Sequence, residues 1–291
     1  MDVYVVDGTY ELFRHYFGVP KQEHDGREIA ATRGVLATLI SMLENGVRYL
    51  GVATDHTVES FRNEMWAGYK DSSAMEPDIL SQFPLVEEAI VALGVRLWPA
   101  VEYEADDALA SSAVAAAAYE EVERVYICSP DKDLSQSVVG DRIVQLDRRK
   151  NEVRDADGVR AKFGVGPESI PDYLALVGDS ADGFPGLKGW GAKTASAVLG
   201  RYEHLEDIPA DAAQWEVTVR GADKRAQTLV EERELAELFR DLATLRTDLP
   251  VFDWIDDLRW DGPTPAFGAV LERLQAEAFA ERVERVLETL D

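Results

Sequence analysis

The sequence predicts an α/β fold, in which a mostly parallel central sheet is flanked by helices and followed by a smaller helical part. Short apolar runs of strand length alternate with helical patterns through the first half of the chain. From Gly158 onward, short helical segments are divided by glycine and proline. With 291 residues, of which 46% are hydrophobic, the chain is large enough to bury such a core.

The strands of the predicted sheet are short and apolar, and we place them at Val3–Val6, Val47–Ala53, Val95–Trp98, Val125–Cys128 and Ile143–Leu146. Apolar residues at helical spacing predict helices at 29–45, 78–93, 104–120, 224–240 and 264–289. The change from alternating strand and helix patterns to short helical segments predicts three parts of the chain. They are an α/β core at 1–160, a helical subdomain at 161–248, and a C-terminal segment at 249–291 that packs back on the core.

Charge is the strongest compositional feature, because 55 acidic residues against 30 basic ones leave a net charge of −25. Such a surface repels polyanions, so composition alone points away from nucleic acid and toward a solubilising or salt-adapted surface. The single cysteine, Cys128, excludes an intramolecular disulfide and a thiolate-rich zinc site. Apolar runs are too short for a signal peptide or a membrane span, so we expect a cytoplasmic protein.

Carboxylates follow the predicted strands at the points where those strands end. Because ligands of open parallel sheets bind outside the carboxyl ends of the strands, we expect these side chains to converge. They are Asp7, Asp55, Glu104, Asp106, Asp107, Asp131 and Asp133, with Asp179 and Asp182 as a further pair in the second half. Taken singly, each has an ordinary interpretation: Asp7 as a helix N-cap, for example, or Asp131-Lys132-Asp133 as a capping turn.

Nine carboxylates gathered at one edge would repel one another unless cations bind among them. Oxygen ligands suit Mg²⁺ or Mn²⁺, and the absence of a Cys or His cluster argues against zinc. Nine ligands exceed what one ion uses, so we expect two or three ions. Two ions about 3.5 to 4 Å apart hydrolyse phosphodiesters, one activating water and the other stabilising the leaving oxygen. The residues therefore predict a metal-dependent nuclease or phosphatase.

Five linked motifs, in this order along the chain, resemble those of the bacterial 5′-nucleases. That family includes flap endonucleases and the 5′-3′ exonuclease domain of DNA polymerase I. The motifs are Val5-Val6-Asp7-Gly8-Thr9, Phe61-Arg62 through Tyr69-Lys70, Tyr103-Glu104-Ala105-Asp106-Asp107, Ser129-Pro130-Asp131-Lys132-Asp133, and Gly178-Asp179-Ser180-Ala181-Asp182 with Pro185-Gly186. The resemblance implies a PIN-like nuclease core, in which the nine acids match the family's metal-binding acids. It runs to about Pro263 without a polymerase portion, which implies a stand-alone enzyme.

The segment from Gly186 to Ala195 resembles the family's helix-three-turn-helix, which grips duplex DNA without reading its sequence and often holds a potassium ion by main-chain oxygens. Its glycines let the backbone approach a phosphate, and the amides that open the following helix attract one. The implied DNA-binding residues are Gly186, Gly189, Gly191, Lys193 and Thr194. A plain glycine-rich loop is the alternative interpretation.

Arg62 and Lys70 align with family cations that contact the scissile phosphate. Eight residues span about two helical turns, so a helix allows both to face one cleft, and a phosphoryl transition state needs such charge. The alternative is two solvated basic residues on a helix. Tyr69 is interpreted either as a stacking partner for a frayed base or as a half-buried packing residue.

The chain departs from the family pattern after Lys70. Acidic residues of the segment 71–78 stand where many relatives have an arginine and a basic or proline-rich arch. For residues 71–80 a solvated loop is expected in place of a helical arch that clamps a single-stranded 5′ flap, and an extra ion bound by the acids is the alternative. Many relatives also have asparagine where this chain has Gly183, which we interpret as a minor loop change.

The resemblance implies a monomeric 5′-nuclease, with both 5′-3′ exonuclease and flap endonuclease activity, that cuts DNA near 5′ ends or flap junctions in replication and repair. Two alternatives stay open. A catalytically weak, structure-specific DNA-binding protein would bind labelled flap DNA with Mn²⁺ without cutting it. An RNA-directed nuclease on a related acidic core would cut unstructured RNA and flap DNA equally.

Overall fold

The computed structural model describes residues 1–290. Its strands are β1 (Asp2–Asp7), β2 (Glu23–His24), β3 (Arg27–Glu28), β4 (Tyr49–Asp55), β5 (Arg96–Ala100), β6 (Arg124–Cys128), β7 (Ile143–Asp147) and β8 (Glu152–Arg154). Its helices are α1 (Gly8–Gly18), α2 (Ala30–Glu44), α3 (Arg62–Met65), α4 (Pro77–Leu80), α5 (Gln82–Ala92), α6 (Ala105–Ala117), α7 (Ala156–Phe163), α8 (Ile170–Val177), α9 (Ala192–Tyr202), α10 (Ala222–Glu231), α11 (Arg233–Ala243), α12 (Phe267–Arg273) and α13 (Ala278–Leu287).

The chain forms two compact units, each built from separate stretches of sequence. The first unit contains Met1–Val58, Ser72–Ser129 and the segment from Thr247 onward. The second contains Glu59–Asp71 and Pro130–Arg246. Residues 130–160, which the sequence pattern places with the α/β core, therefore belong to the second unit.

The first unit contains four parallel strands in the order β5-β4-β1-β6. Strand β1 is central, with Val6 opposite Val52 on one side and Cys128 on the other. Val3, Val5 and Val6 are fully buried, which explains why the strand reads as a continuous apolar run. Helix α6 packs on all four strands, and α1 and α5 pack on β4. The predicted mostly parallel sheet flanked by helices is confirmed.

Helix α1 and the β2-β3 hairpin were not indicated by the sequence patterns. The N-cap of α1 is Asp7, whose carboxylate accepts a hydrogen bond from the Tyr10 amide at 2.7 Å. Gly8 opens the helix because a Cβ there would lie 2.7 Å from the Ala53 carbonyl oxygen. The absence of a side chain thus lets α1 start directly against β4 and holds Asp7 at the end of β1.

The segment after Thr247 packs within the first unit. Trp260 is buried, its indole N–H donates to the Leu93 carbonyl at 2.8 Å, and its amide donates to the Arg48 carbonyl at 2.7 Å. Helix α12 packs on α5 and α13 on α2. The single helix predicted over 264–289 is wrong, because the chain turns between α12 and α13 with Gln275 in the left-handed region at φ 49°.

The second unit has its own apolar core around α8, α9 and α11. Phe184 and Phe239 stack in this core with ring centroids 5.5 Å apart. The predicted helix over 224–240 is divided at Glu232 into α10 and α11. Strands β7 and β8 form an antiparallel hairpin, and its turn carries the basic run Arg148-Arg149-Lys150. Within residues 1–290, no helix combines the length and apolar character needed to cross a membrane.

Candidate metal centre

Two carboxylates of the first unit lie at the ends of adjacent parallel strands. Asp7 ends β1 and Asp55 ends β4. One oxygen of Asp7 caps α1, and the other accepts from the Ser129 hydroxyl at 2.8 Å. The N-cap interpretation of Asp7 is therefore confirmed. These contacts orient the carboxylate at the end of β1.

Three more acids open helix α6, which follows β5. Glu104 is the N-cap residue, and its amide donates to Asp107 Oδ2 at 3.0 Å in a capping box. The next amide, of Ala105, donates to Asp55 Oδ1 at 2.8 Å. Glu104 and Asp107 are buried, whereas Asp106 is partly exposed, so the three acids at the start of α6 differ in their access to solvent. Asp55 and the α6 acids thus lie at one edge of the sheet, as predicted.

A tighter carboxylate group lies in the second unit. Asp133, Asp179 and Asp182 are all buried, and each offers an oxygen within 4.8 Å of the others. Asp133 opens a short 3₁₀ helix whose N-cap residue is Lys132, and its amide donates to Asp131 Oδ1 at 2.9 Å, so Asp131 forms a turn directly before the helix. Asp179 and Asp182 lie on one loop, which closes through an antiparallel bridge between Asp179 and Phe184. We call Asp133, Asp179 and Asp182 the carboxylate triad.

Two lysines lie beside the triad. Lys132 Nζ contacts Asp179 Oδ2 closely and is 3.7 Å from Asp133 Oδ1. Lys70 Nζ is 2.9 Å from Asp182 Oδ1, and the Lys70 amide donates to the Asp182 carbonyl at 3.0 Å. Burial disfavours the charge of Lys132, but the carboxylates of Asp133 and Asp179 more than offset it and raise the pKa of its ammonium group.

The triad fits a hard divalent cation. Burial, with Asp131 and Asp182 nearby, raises the pKa of Asp133 well above the usual carboxyl range. Its Oδ1 atom is buried and has no hydrogen-bond partner among residues 1–290. A buried, orphaned carboxylate oxygen facing two further carboxylates is the donor set that Mg²⁺ or Mn²⁺ completes, since both ions prefer oxygen ligands. The structure thus brings three of the nine predicted ligands within reach of one ion. Convergence of all nine on one site stays a prediction.

Lys132 is the functional candidate that sequence reasoning missed. In the sequence it reads as a turn residue between two acids, although its position inside the Asp-Lys-Asp run is visible. A lysine placed between two predicted metal ligands is a candidate counter-ion for the site, which could have identified it.

The interpretation of Arg62 and Lys70 as two cations on one helix is wrong. Helix α3 ends at Met65, so Lys70 lies in the following loop. Arg62 is 1% exposed, and its guanidinium donates to the carbonyls of Leu242 at 2.8 Å and Thr244 at 3.0 Å. These bonds satisfy acceptors at the end of α11. A contact between Arg62 and phosphate stays a prediction. In this conformation the guanidinium is hydrogen-bonded to main-chain carbonyls of the protein.

Tyr69 is 5% exposed and belongs to the core of the second unit, so the packing interpretation is confirmed and base stacking does not fit a ring so buried. The same loop approaches Gly183, whose carbonyl accepts from the Trp66 indole at 3.1 Å. Gly183 has φ +84°, and a Cβ there would collide with the Gly68 carbonyl. A side chain at this position would therefore require the Gly68 loop to shift, and the interpretation as a minor loop change stays a prediction.

The predicted DNA-binding glycines between α8 and α9 have different environments. Gly186 is buried, and a Cβ there would meet the backbone of Gly178, so this residue serves packing and its predicted DNA contact does not fit. Nothing lies within 4 Å of a Cβ built on Gly189 or Gly191, so this backbone is open to a ligand. Gly191 caps α9 without a side-chain hydrogen bond.

Lys193 and Thr194 continue the same motif in the first turn of α9. Lys193 is exposed, and Thr194 is partly buried with its amide bonded to the Gly191 carbonyl at 2.9 Å. The helix start carries uncapped amides and a mobile cation, an arrangement that attracts a phosphate. Trp190 is turned inward, with its ring centroid 6.1 Å from that of Trp215.

Mn²⁺ is expected to raise the thermal stability of the protein and EDTA to reverse the effect. An ion that binds only the folded state stabilises it by about 2.7 kcal/mol at a hundredfold excess over its Kd. Calorimetric melting with and without EDTA measures the shift. Asp182→Asn, which removes one carboxylate charge from the triad, should show a smaller shift. A melting temperature that ignores Mn²⁺ in the wild-type protein would contradict ion binding by the triad.

Family comparisons divide the chain into two matched regions. Residues 2–164 match the model of the 5′-3′ exonuclease N-terminal resolvase-like domain, and residues 165–266 match that of the 5′-3′ exonuclease C-terminal SAM fold. A 5′-3′ exonuclease of Aquifex aeolicus is 32% identical over 98% of this chain and 96% of its own. DNA polymerase I of Pseudomonas aeruginosa is 35% identical over 87% of this chain, which spans 28% of the polymerase.

Solved structures share the fold at lower identity. T5 5′-exonuclease with bound zinc ions aligns over 99% of both chains with a TM-score of 0.69 and 18% identity. The catalytic core of Rad2 in complex with DNA substrate aligns over 97% of this chain and 91% of its own, with a TM-score of 0.63 and 15% identity. The parallel sheet and the helical second region are thus shared with both proteins.

Proposed function

This chain belongs to the 5′-3′ exonuclease family, and on that premise we propose that it hydrolyses DNA phosphodiesters near free 5′ ends and flap junctions, in replication and repair. It is a nuclease, and its cleavage products are expected to carry 5′ phosphates. Asp7, Asp55, Glu104, Asp106, Asp107 and Asp131 are also proposed as metal ligands in this reaction.

The carboxylate triad is the observation that carries this proposal. Its three buried acids lie within 4.8 Å of one another, and Asp133 Oδ1 lacks a hydrogen-bond partner among the described residues. Divalent ions bound there would activate water and stabilise charge on the leaving oxygen. Lys70, held at Asp182 by its main chain and its side chain, would place a positive charge beside the reacting phosphate.

Two or three Mg²⁺ or Mn²⁺ ions are proposed for the nine acids, because nine carboxylates exceed the ligand needs of one ion. A potassium ion at the motif between α8 and α9 is proposed from the family resemblance. Anomalous scattering from crystals soaked in Mn²⁺ would count and place the divalent ions. A single Mn²⁺ peak would limit the proposal to one ion.

The DNA contacts are proposed on the second unit. It contains seven of the eight lysines and carries 19 basic against 25 acidic residues, whereas the first unit carries 11 against 30. The first unit thus carries a net charge of −19 and the second −6, so a polyanionic substrate is repelled much less by the second unit. Gly189, Gly191, Lys193 and Thr194 would contact the phosphate backbone and therefore read no sequence.

A cleavage assay tests the function directly. Flap DNA labelled at its 5′ end is incubated with the protein and Mn²⁺, beside unstructured RNA and blunt duplex. Cleavage near the flap junction with 5′-phosphate products is expected, and EDTA should abolish it. Tight binding without cleavage would favour the DNA-binding alternative, and equal cutting of RNA would favour the RNA-directed one.

Lys193→Ala is expected to weaken duplex binding several-fold while leaving Mn²⁺ affinity unchanged. One fewer phosphate contact should reduce the slope of log affinity against log salt by about one. Fluorescence anisotropy over a salt series measures both quantities. Lys21→Ala is the control, because Lys21 is the single lysine of the first unit and pairs with Asp78 at 2.8 Å. An unchanged salt slope in Lys193→Ala would remove this lysine from the DNA contacts.

A further inference from the structure

The ammonium group of Lys132 lies beside the carboxylates that would bind a metal ion in the triad. Its ammonium group contacts Asp179 Oδ2 and lies 3.7 Å from Asp133 Oδ1. The other oxygen of Asp179 accepts from the Ala181 amide at 2.9 Å. Both oxygens of this ligand are therefore engaged, one of them by a cation.

An ion and this ammonium group interfere with one another. Mg²⁺ binds carboxylate oxygens at about 2.1 Å. An ion on Asp179 Oδ2 that also reaches Asp133 would thus lie within a few ångströms of Lys132 Nζ, and the two positive charges would repel strongly in a partly buried site. Asp179 can serve as a full ligand only after the ammonium group moves away.

Lys70 and Lys132 differ in the carboxylates that their ammonium groups approach. The two side chains are similarly exposed, 33% for Lys70 and 36% for Lys132, so exposure does not distinguish them. The ammonium group of Lys70 pairs with Asp182 at 2.9 Å, whereas that of Lys132 lies beside both Asp179 and Asp133. An ion held by Asp133 and Asp179 would therefore meet Lys132 directly, which singles out this lysine as the cation to be displaced.

We propose that Lys132 serves as the counter-ion of the triad in the metal-free protein and is displaced when a divalent ion binds. Ion binding is then an exchange of an ammonium group for a metal ion. The lysine holds Asp133 and Asp179 together before the ion arrives, and it lowers the affinity of the site so that the ion exchanges readily. This inference rests on the proposed metal-dependent function and adds a residue that sets ion affinity.

The test is Mn²⁺ affinity, measured by isothermal titration calorimetry and by the electron paramagnetic resonance signal of free Mn²⁺. Lys132→Met shortens the side chain by one atom and removes the charge, so the triad is expected to bind Mn²⁺ at least about tenfold more tightly, the factor expected from one nearby charge in a partly exposed site. Lys132→Arg keeps a positive charge and should bind close to the wild-type value. Lys224→Met makes the same change on exposed α10 and should leave affinity unchanged.

Asp182→Asn identifies which binding step belongs to the triad, because that step should be weakened or lost in this variant. If wild-type protein shows no such step, the metal centre itself is refuted. If wild-type protein shows it and Lys132→Met binds no more tightly, the exchange is refuted while the metal centre stands.

A second readout is thermal stability in EDTA. Lys132→Met should melt below the wild-type protein, because the triad then has one counter-ion fewer, and Mn²⁺ should raise its melting temperature by more than that of the wild type. A variant that folds only with Mn²⁺ supports the exchange as well, since the lysine then replaces the ion in the metal-free state. Equal melting temperatures of the two proteins in EDTA would overturn the proposal that Lys132 serves as the counter-ion of the triad in the metal-free protein.

Discussion

Asparagine in place of Asp133 is expected to reduce DNA cleavage at least about a thousandfold while making the metal-free protein more stable. Metal-ion stabilisation of a phosphoryl transition state is worth several kcal/mol, and about 4 kcal/mol corresponds to a thousandfold in rate. Asp133 offers the orphaned, buried oxygen of the triad, so its loss should disrupt ion binding directly. Single-turnover cleavage of flap DNA with saturating Mn²⁺ measures the rate.

The stability gain follows from the raised pKa of Asp133. Burial, together with the charges of Asp131 and Asp182, disfavours its ionised form in the folded protein. Below the ordinary carboxyl pKa of about 4, folded and unfolded chains are both protonated and the penalty is absent. The penalty grows as pH rises from there to the raised pKa. The neutral amide of the Asp133→Asn variant carries no such penalty, so in EDTA this variant should exceed the wild type by about 1–3 kcal/mol at neutral pH and by less at pH 4.

Asp172→Asn is the matched control for this substitution. Asp172 is also a buried aspartate of the second unit, but it pairs with His204 at 2.9 Å and Arg240 at 3.3 Å. Its asparagine variant should lose stability and retain cleavage, the reverse of the expectation for Asp133. Near-normal turnover by Asp133→Asn would remove this residue from the metal centre.

Methionine in place of Arg62 is expected to lower the free energy of unfolding by about 3 kcal/mol. The change leaves the Leu242 and Thr244 carbonyls without these donors and removes the contact of the guanidinium with the Phe61 ring, 4.6 Å away. Unsatisfied buried acceptors cost about 1–3 kcal/mol each. For a chain of this size the melting temperature should fall by about 6–12 °C, which calorimetry measures.

Arg160→Met is the control, because Arg160 is exposed and pairs with Glu168 at 3.1 Å on the surface of the same unit. Exposed pairs contribute about 0–1 kcal/mol, so this variant should melt almost normally. The same pair of variants decides between two roles for Arg62. If Arg62→Met loses cleavage but keeps its full stability, the interpretation of Arg62 as a scissile-phosphate contact is restored. If Arg62→Met loses stability but keeps its Mn²⁺ affinity, the structural role is supported.

The strands were predictable because the four parallel strands of the first unit are buried. Their side chains form continuous apolar runs, and each predicted strand of that sheet lies within about two or three residues of the observed one. Helix breaks at Glu232 and near Gln275 were not predictable, since neither break contains glycine or proline. Helix α1 was missed although its cap residue, Asp7, was recognised as an N-cap candidate.

At the candidate site, the acids were found because a carboxylate after a strand is visible in sequence. Their neighbours were not found, because these depend on distant parts of the chain. Arg62 donates to carbonyls 180 and 182 residues away along the chain. A side chain at position 183 would collide with the Gly68 carbonyl, a contact that the local sequence does not indicate. The family resemblance gives a residue's identity but not its burial, so a cation expected at a phosphate was found inside the protein.

The division of the first unit into three stretches has a consequence for biosynthesis. Strands β1, β4, β5 and β6 leave the ribosome well before α12 and α13, which cover α5 and α2. Trp260, which bonds to Arg48 and Leu93, also arrives late. Until then part of the apolar surface of α5 and α2 stays uncovered, a state that chaperones recognise and that makes translation stalled before Thr247 a risk for aggregation.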